Sequence, residues 1–248
     1  MLFRSTLWTL CLVLLLPASA NAGKPEEWTD AEVNMAAPYC MDTMGFRDGD
    51  ATHNTSPRAA HWVSIMGQTF WAMHHYCWAM VNLNKAQRAS MPSAQKKNLR
   101  ETAINDIRYV LGHAPEGFIM LPEIYTTMGN TYLLLGNARN AEKAYKAAIK
   151  AKPDYWPPYA RWAESLLIRA NARDDARSIV REGLTQVPAS KTLLSLWKEL
   201  GGGPLPPPVE KPGAAAANPV APADEEPTPS AAPHPASTPG PATTPSSE

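Results

Sequence analysis

The sequence predicts an all-α protein built from stacked helical hairpins and closed by a capping helix. Three observations carry that prediction. Three segments end alike: Ala103, Ile107, Val110, Pro115; then Ala141, Tyr145, Ala148, Pro153; then Ala176, Val180, Gly183, Pro188. Their internal gaps are four, three and five residues each time, so a small residue is followed by apolar or small ones a turn apart. A proline then ends the helix, because it lacks an N–H and restricts the residue before it. Equivalent positions recur at steps of 38 and 35 residues, the sign of one stacked supersecondary unit. No run of alternating strand residues interrupts the helical pattern.

Residues 1–22 read as a secretory signal. Arg4 gives a positive start, Leu10 to Leu16 a short apolar stretch, and Pro17 with Ala18-Ser19-Ala20-Asn21-Ala22 the small-residue cleavage pattern. The apolar run is shorter than the roughly 20 residues a bilayer span needs. Cys11 follows Trp8, Thr9 and Leu10, and so lacks the small residue a lipobox requires. The expected mature chain is periplasmic or secreted, with no membrane span after cleavage. It keeps two cysteines, Cys40 and Cys77, and in an exported chain a lone pair is expected as a disulfide. Closing that loop of about 36 residues stabilises by roughly 3–4 kcal/mol.

Residues 23–58 form an extension with one short helix, signalled by the capping box Thr29-Asp30-Ala31-Glu32. Pro38 and Gly45 interrupt it, and Arg47 to Ser56 reads as loop. The helical domain spans 59–201. Ser56-Pro57 is a helix start, and one long apolar helix is expected from His61 through Val81. Ser90-Met91-Pro92-Ser93 breaks it, and a helix over about 94–112 follows, closed by Pro115-Glu116-Gly117. A helix near 191–200, with Leu194 and Trp197 facing inward, is the polar-faced cap that a repeat array needs. Residues 202–248 are dominated by proline, alanine, serine and threonine, with no aromatic side chain. Burial there cannot offset chain entropy, and a disordered tail is expected.

Between these limits, Tyr125, Met128, Gly129, Tyr132, Gly136, Ala141, Tyr145, Ala148 and Pro153 fall at the spacing of a tetratricopeptide repeat. The next unit matches at Tyr159, Trp162, Ala163 and Leu166, and the first unit diverges, with Phe70, Met73 and Cys77 inward and His74 in the small-residue place. The chain thus resembles the exported bacterial tetratricopeptide repeat proteins over roughly 60–200. The resemblance implies antiparallel pairs in a right-handed α-solenoid with a concave inner face that binds protein or peptide. It maps that face onto Glu123, Thr126, Asn130, Leu133 and Leu134, then Pro157, Ala160, Glu164, Leu167 and Ile168. In the first unit it maps Gln68, Trp71, His75, Trp78 and Ala79 there.

Trp71, His75 and Trp78 share one helix stripe, either an aromatic groove floor for an extended peptide or a surface buried by the extension. Asn130 matches the asparagine of the carboxylate-clamp repeats, but Thr126 stands where that clamp needs lysine; Arg161 offers one possible cation, and the rest of the clamp is missing. The candidate partner-binding set is therefore Trp71, His75, Trp78, Thr126, Asn130, Leu133, Ala160, Arg161 and Glu164.

Other functions are less supported by the pattern. Basic and acidic residues balance at 23 each, without a basic patch interleaved with aromatics, which argues against nucleic acid. There is no Gly-x-Ser-x-Gly, phosphate loop or His-Glu-x-x-His, so neither an enzyme nor a cofactor is expected. A metal-binding alternative would use His61, His74 or His75 with methionines or Cys40 and Cys77, although His74 and His75 are expected to diverge around a helix. A third reading is a fixed structural subunit of an envelope complex. Lys143, Lys146, Lys150, Lys152, Arg173, Arg177 and Arg181 are expected on a solvated outer face.

Overall fold

A computed structural model describes residues 28–43, 45–46, 56–170 and 172–204. The signal segment, the loop 47–55 and the tail beyond residue 204 lie outside the described residues. Those described are helical or irregular, with no strand among them. The elements are α1 (Asp30–Asn34), a 3-10 turn (Pro38–Asp42), α2 (Ala59–Met66), a second 3-10 turn (Gly67–Ala72) and α3 (Met73–Lys85). After them come α4 (Ser93–His113), α5 (Leu121–Leu134), α6 (Ala138–Ala151), α7 (Pro157–Ala170), α8 (Arg173–Gln186) and α9 (Lys191–Glu199).

The helices pair as α3 with α4, α5 with α6, and α7 with α8. Each pair is joined by a short connection and is therefore antiparallel. Successive pairs touch through α4 and α5, α6 and α7, and α5 and α7, and α9 packs on α7 and α8. The repeated residues make these seams. Ala103, Ala141 and Ala176 are buried, as are Ile107, Tyr145 and Val180, then Val110, Ala148 and Gly183. In the middle pair a Cβ on Gly129 would stand 2.6 Å from the Tyr145 ring, so the missing side chain is what lets α5 approach α6. In α6 the buried stripe Ala141, Ala144, Tyr145, Ala148 keeps one helix face, and the Asn137 side chain caps the N-terminus by accepting from the Asn140 N–H.

The first unit departs from the single long helix expected there. Gly67 takes φ +62°, which ends α2, and a 3-10 turn re-aims the chain before α3 begins. The bend keeps Met66, Phe70, Met73 and Cys77 all in the core despite the change of pitch. The Thr69 hydroxyl donates to the His113 carbonyl at 3.3 Å, fixing the turn on the end of α4.

The N-terminal extension is anchored to this unit. Cys40 and Cys77 form a disulfide between the first 3-10 turn and α3, both fully buried. Asp42 accepts from the Ser56 hydroxyl at 2.5 Å, the Arg58 guanidinium at 3.1 and 3.2 Å, and Trp62 Nε1 at 2.7 Å. Burial alone would raise its carboxyl pKa, but these donors outweigh burial and hold it below the usual range. The capping box forms as expected: Glu32 accepts from the Thr29 N–H, the Thr29 hydroxyl accepts from the Glu32 N–H, and Arg88 reaches Glu32 at 2.6 Å.

Two readings at the C-terminal end change. In α9 the inward stripe is Leu193, Leu196 and Leu200, whereas Leu194 is exposed and Trp197 only half-buried. The three buried leucines lie three and four residues apart, one face of a helix, and Leu194 stands about 100° off it. On α8, Arg173 and Arg177 are not simply solvated: they donate to the Glu199 and Leu200 carbonyls, satisfying the free end of α9.

Candidate functional site

The α3 stripe is largely covered by its own chain. His75 and Trp78 are buried on α3, whereas Trp71 lies in the second 3-10 turn and is half-buried, so the three do not share one helix stripe. Trp78 Nε1 donates to the Phe46 carbonyl at 3.0 Å, so the extension held by the disulfide lies over this part of α3. Ala79 is in the core and Gln68 is exposed.

His74 and His75 do not diverge. Their ring centroids are 4.4 Å apart, and both rings pack edge-on to Trp78 at 4.8 Å. About 100° of helix rotation separates their Cα–Cβ bonds, yet both side chains swing into the gap that Trp78 and α4 leave. His75 Nδ1 lies 2.8 Å from Asp106 Oδ1 on α4. A carboxylate only accepts, so Nδ1 carries the proton. His74 Nδ1 donates to the Trp71 carbonyl at 2.7 Å. Burial, then the neighbouring His75, lower the His74 pKa to about 4, and the Trp71 carbonyl only partly opposes them. Burial raises the Asp106 carboxyl, against the pull of His75, and Asp106 Oδ2 is buried with no partner among the described residues. Tyr109, 44% exposed, stacks between His75 at 3.9 Å and His113 at 4.3 Å. The result is a continuous row of aromatic rings with one carboxylate behind it. Chemically, the carboxylate fixes the tautomer and orientation of His75.

Asp106 and Tyr109 were absent from the sequence-derived set. Asp106 had a legible signal: it stands three residues after Ala103 and four before Val110, a charge on the buried face of α4.

The remaining candidates fall on α5 and α7. Thr126 is buried and its hydroxyl donates to the Pro122 carbonyl at 2.6 Å. Asn130 Oδ1 accepts from the Tyr145 hydroxyl at 2.8 Å, and Glu123 accepts from the fully buried Tyr76 hydroxyl at 3.0 Å. Ala160 is in the core beside Tyr159 and Ala163. Arg161 pairs with Glu164 at 3.0 Å on the surface of α7. Leu133 is half-buried and packs against the cluster of Ile104, Tyr132, Ala141 and Tyr145. Beside these lie two large exposed apolar side chains, Leu134 at 54% and Ile168 at 85%.

For the metal alternative, Cys40 and Cys77 are committed to their disulfide, and His61 is exposed on α2 against Trp62. Among the described residues no three His, Cys, Asp or Glu side chains converge as metal ligands. His53, close to these histidines in sequence, lies outside the described residues. Also among those described, no helix is long and apolar enough to cross a membrane.

No family model and no curated protein matches the chain.

Proposed function

We propose that this chain is an exported, tetratricopeptide-like interaction scaffold that engages another envelope protein through the α5–α7 face and carries out no reaction of its own. The observation that carries the reading is the pair Leu134 and Ile168. Both occupy the thirteenth place of the repeat pattern, on two helices that pack together, and both leave large apolar side chains in solvent. Exposed apolar surface at matching positions of a repeat marks a binding face more readily than scattered exposure does. The polar neighbours Arg161 and Glu164 supply a rim to that face. Three helix pairs packed in series and the small-residue seam at Gly129 support the repeat assignment. The Cys40–Cys77 disulfide supports an oxidising compartment.

The α3 residues contribute less to this face than α5 and α7, since Trp78 is covered by the extension and His75 is buried against Asp106 and Tyr109 of α4. The test places a photo-crosslinking residue at 134, at 168 and, as control, at the outward Lys143. Discrete protein adducts in envelope are expected from positions 134 and 168 and absent from 143; the adduct from 134 should be lost when Ile168→Glu is added, and that from 168 when Leu134→Glu is added. Adducts from all three positions, or from none, would overturn the reading.

A further inference from the structure

A cleft of about 290 Å³ opens between α4 and the α5–α6 turn. Lys97, Asn105 and Arg108 of α4 form one wall, and Tyr132, Asn137 and Asn140 stand opposite. Its floor is apolar, from Ile104 and Leu135.

The Arg108 guanidinium is oriented without being neutralised. One nitrogen donates to the Tyr132 hydroxyl at 2.8 Å and another to Asn105 Oδ1 at 3.4 Å, both uncharged acceptors. Among the described residues no carboxylate pairs with Arg108, nor with Arg100 on the same helix, which donates to the Leu134 carbonyl. The acid of the cleft, Glu101, is taken up by Lys97 at 3.6 Å. Positive charge is therefore in excess along this wall. A guanidinium carries five donors in a fixed fork, and two neutral partners leave it able to receive a carboxylate in a prepared orientation.

We propose that this cleft binds a short, extended, acidic peptide segment of a partner protein. A glutamate or aspartate carboxylate sits on the Arg108 fork. The carboxamides of Asn105 and Asn140, each donor and acceptor, meet main-chain N–H and C=O groups, and an aliphatic side chain rests on Ile104 and Leu135. Carboxamide walls and an apolar floor suit a peptide; an inorganic anion would use neither. The site goes beyond the α5–α7 face and does not depend on it.

The probe is a fluorescein-labelled octapeptide of serine and valine with two central glutamates, compared by anisotropy with its glutamine twin. The glutamate peptide should bind at least about tenfold more tightly, with binding weakened by salt. Arg108→Gln should abolish that preference. Asn140→Asp should also weaken binding, while a carboxylate at the third position of α6 favours the helix and keeps the fold. Leu134→Glu/Ile168→Glu should leave peptide binding intact, which separates this site from the α5–α7 face. Equal binding of both peptides, no binding, or indifference to both cleft variants would overturn the proposal. So would displacement by inorganic phosphate as effective as by unlabelled peptide.

Discussion

The region before α5 and the region from α5 to α9 are held together by different means. From α5 onward the chain is regular: small residues open seams, tyrosines fill them, and the pattern repeats from one pair to the next. Before α5 the same architecture is irregular. A 3-10 turn breaks the first helix, and a disulfide, the Asp42 cluster and the Glu32–Arg88 pair tie the extension to the helices. A repeat gains its core from neighbours of its own kind, and the terminal unit has no neighbour on its outer side. Here the extension fills that place, and a short irregular segment needs covalent and charged ties to remain folded. The irregularity of the first helix pair is thus the local consequence of ending the series of pairs.

The largest expected effect breaks the covalent tie. Cys40→Ser with Cys77→Ser should lower unfolding free energy by about 3–4 kcal/mol in oxidising buffer. Amide exchange should then accelerate in α1 and α2 while α5 to α8 stay protected. Equal acceleration throughout would mean that the two regions form one cooperative unit.

Asp42→Ala comes next, because it leaves the Trp62, Arg58 and Ser56 donors without their acceptor. About 2–3 kcal/mol should be lost in a denaturant titration, again confined to the N-terminal region by exchange. Gly129→Ala tests the other region. The new methyl meets the buried Tyr145 ring, whose hydroxyl is held by Asn130, so the ring has little freedom to retreat. A net loss of about 1–2 kcal/mol is expected despite the better helix propensity of alanine. Combination with Tyr145→Leu should recover part of it.

At neutral pH the last effect vanishes: it is a pH dependence carried by His74, seen only in acid. Its pKa falls from an ordinary 6.5 to about 4 on folding, so between those values the unfolded chain binds the proton and the folded chain does not. Stability from a neutral His74 is therefore complete above about pH 6.5 and declines as pH falls toward 4. Asp106, whose carboxyl is raised, acts in the opposite sense once acid enough to protonate it. Thermal midpoints recorded down that window should fall in the native chain and fall less in His74→Leu.

The helix pairs were readable because periodicity is local. A small residue, two further buried positions at helical spacing and a stopping proline can be recognised in one strip of sequence, as in Ala141, Tyr145, Ala148 and Pro153. The capping box at Thr29 and the pairing of Cys40 with Cys77 were readable for the same reason: each needed only two residues and a rule of chemistry or compartment. The candidate binding residues were less legible. Asn130, Thr126 and Glu123 stand at the expected places of the pattern, but Tyr145, the Pro122 carbonyl and Tyr76 already use their polar groups.

The sequence by itself determined the all-helical class, the order of the helix pairs and the disulfide, because these follow from spacing and from the identity of few residues. Only the tertiary structure decided that Gly67 breaks the long helix, and that His74 and His75 lie ring against ring. It also decided that Asp106 stands behind His75, that Arg173 and Arg177 close α9, and that Arg108 is oriented without a counter-charge. These features join residues from separate helices, and their distances depend on how those helices pack, which no local period encodes.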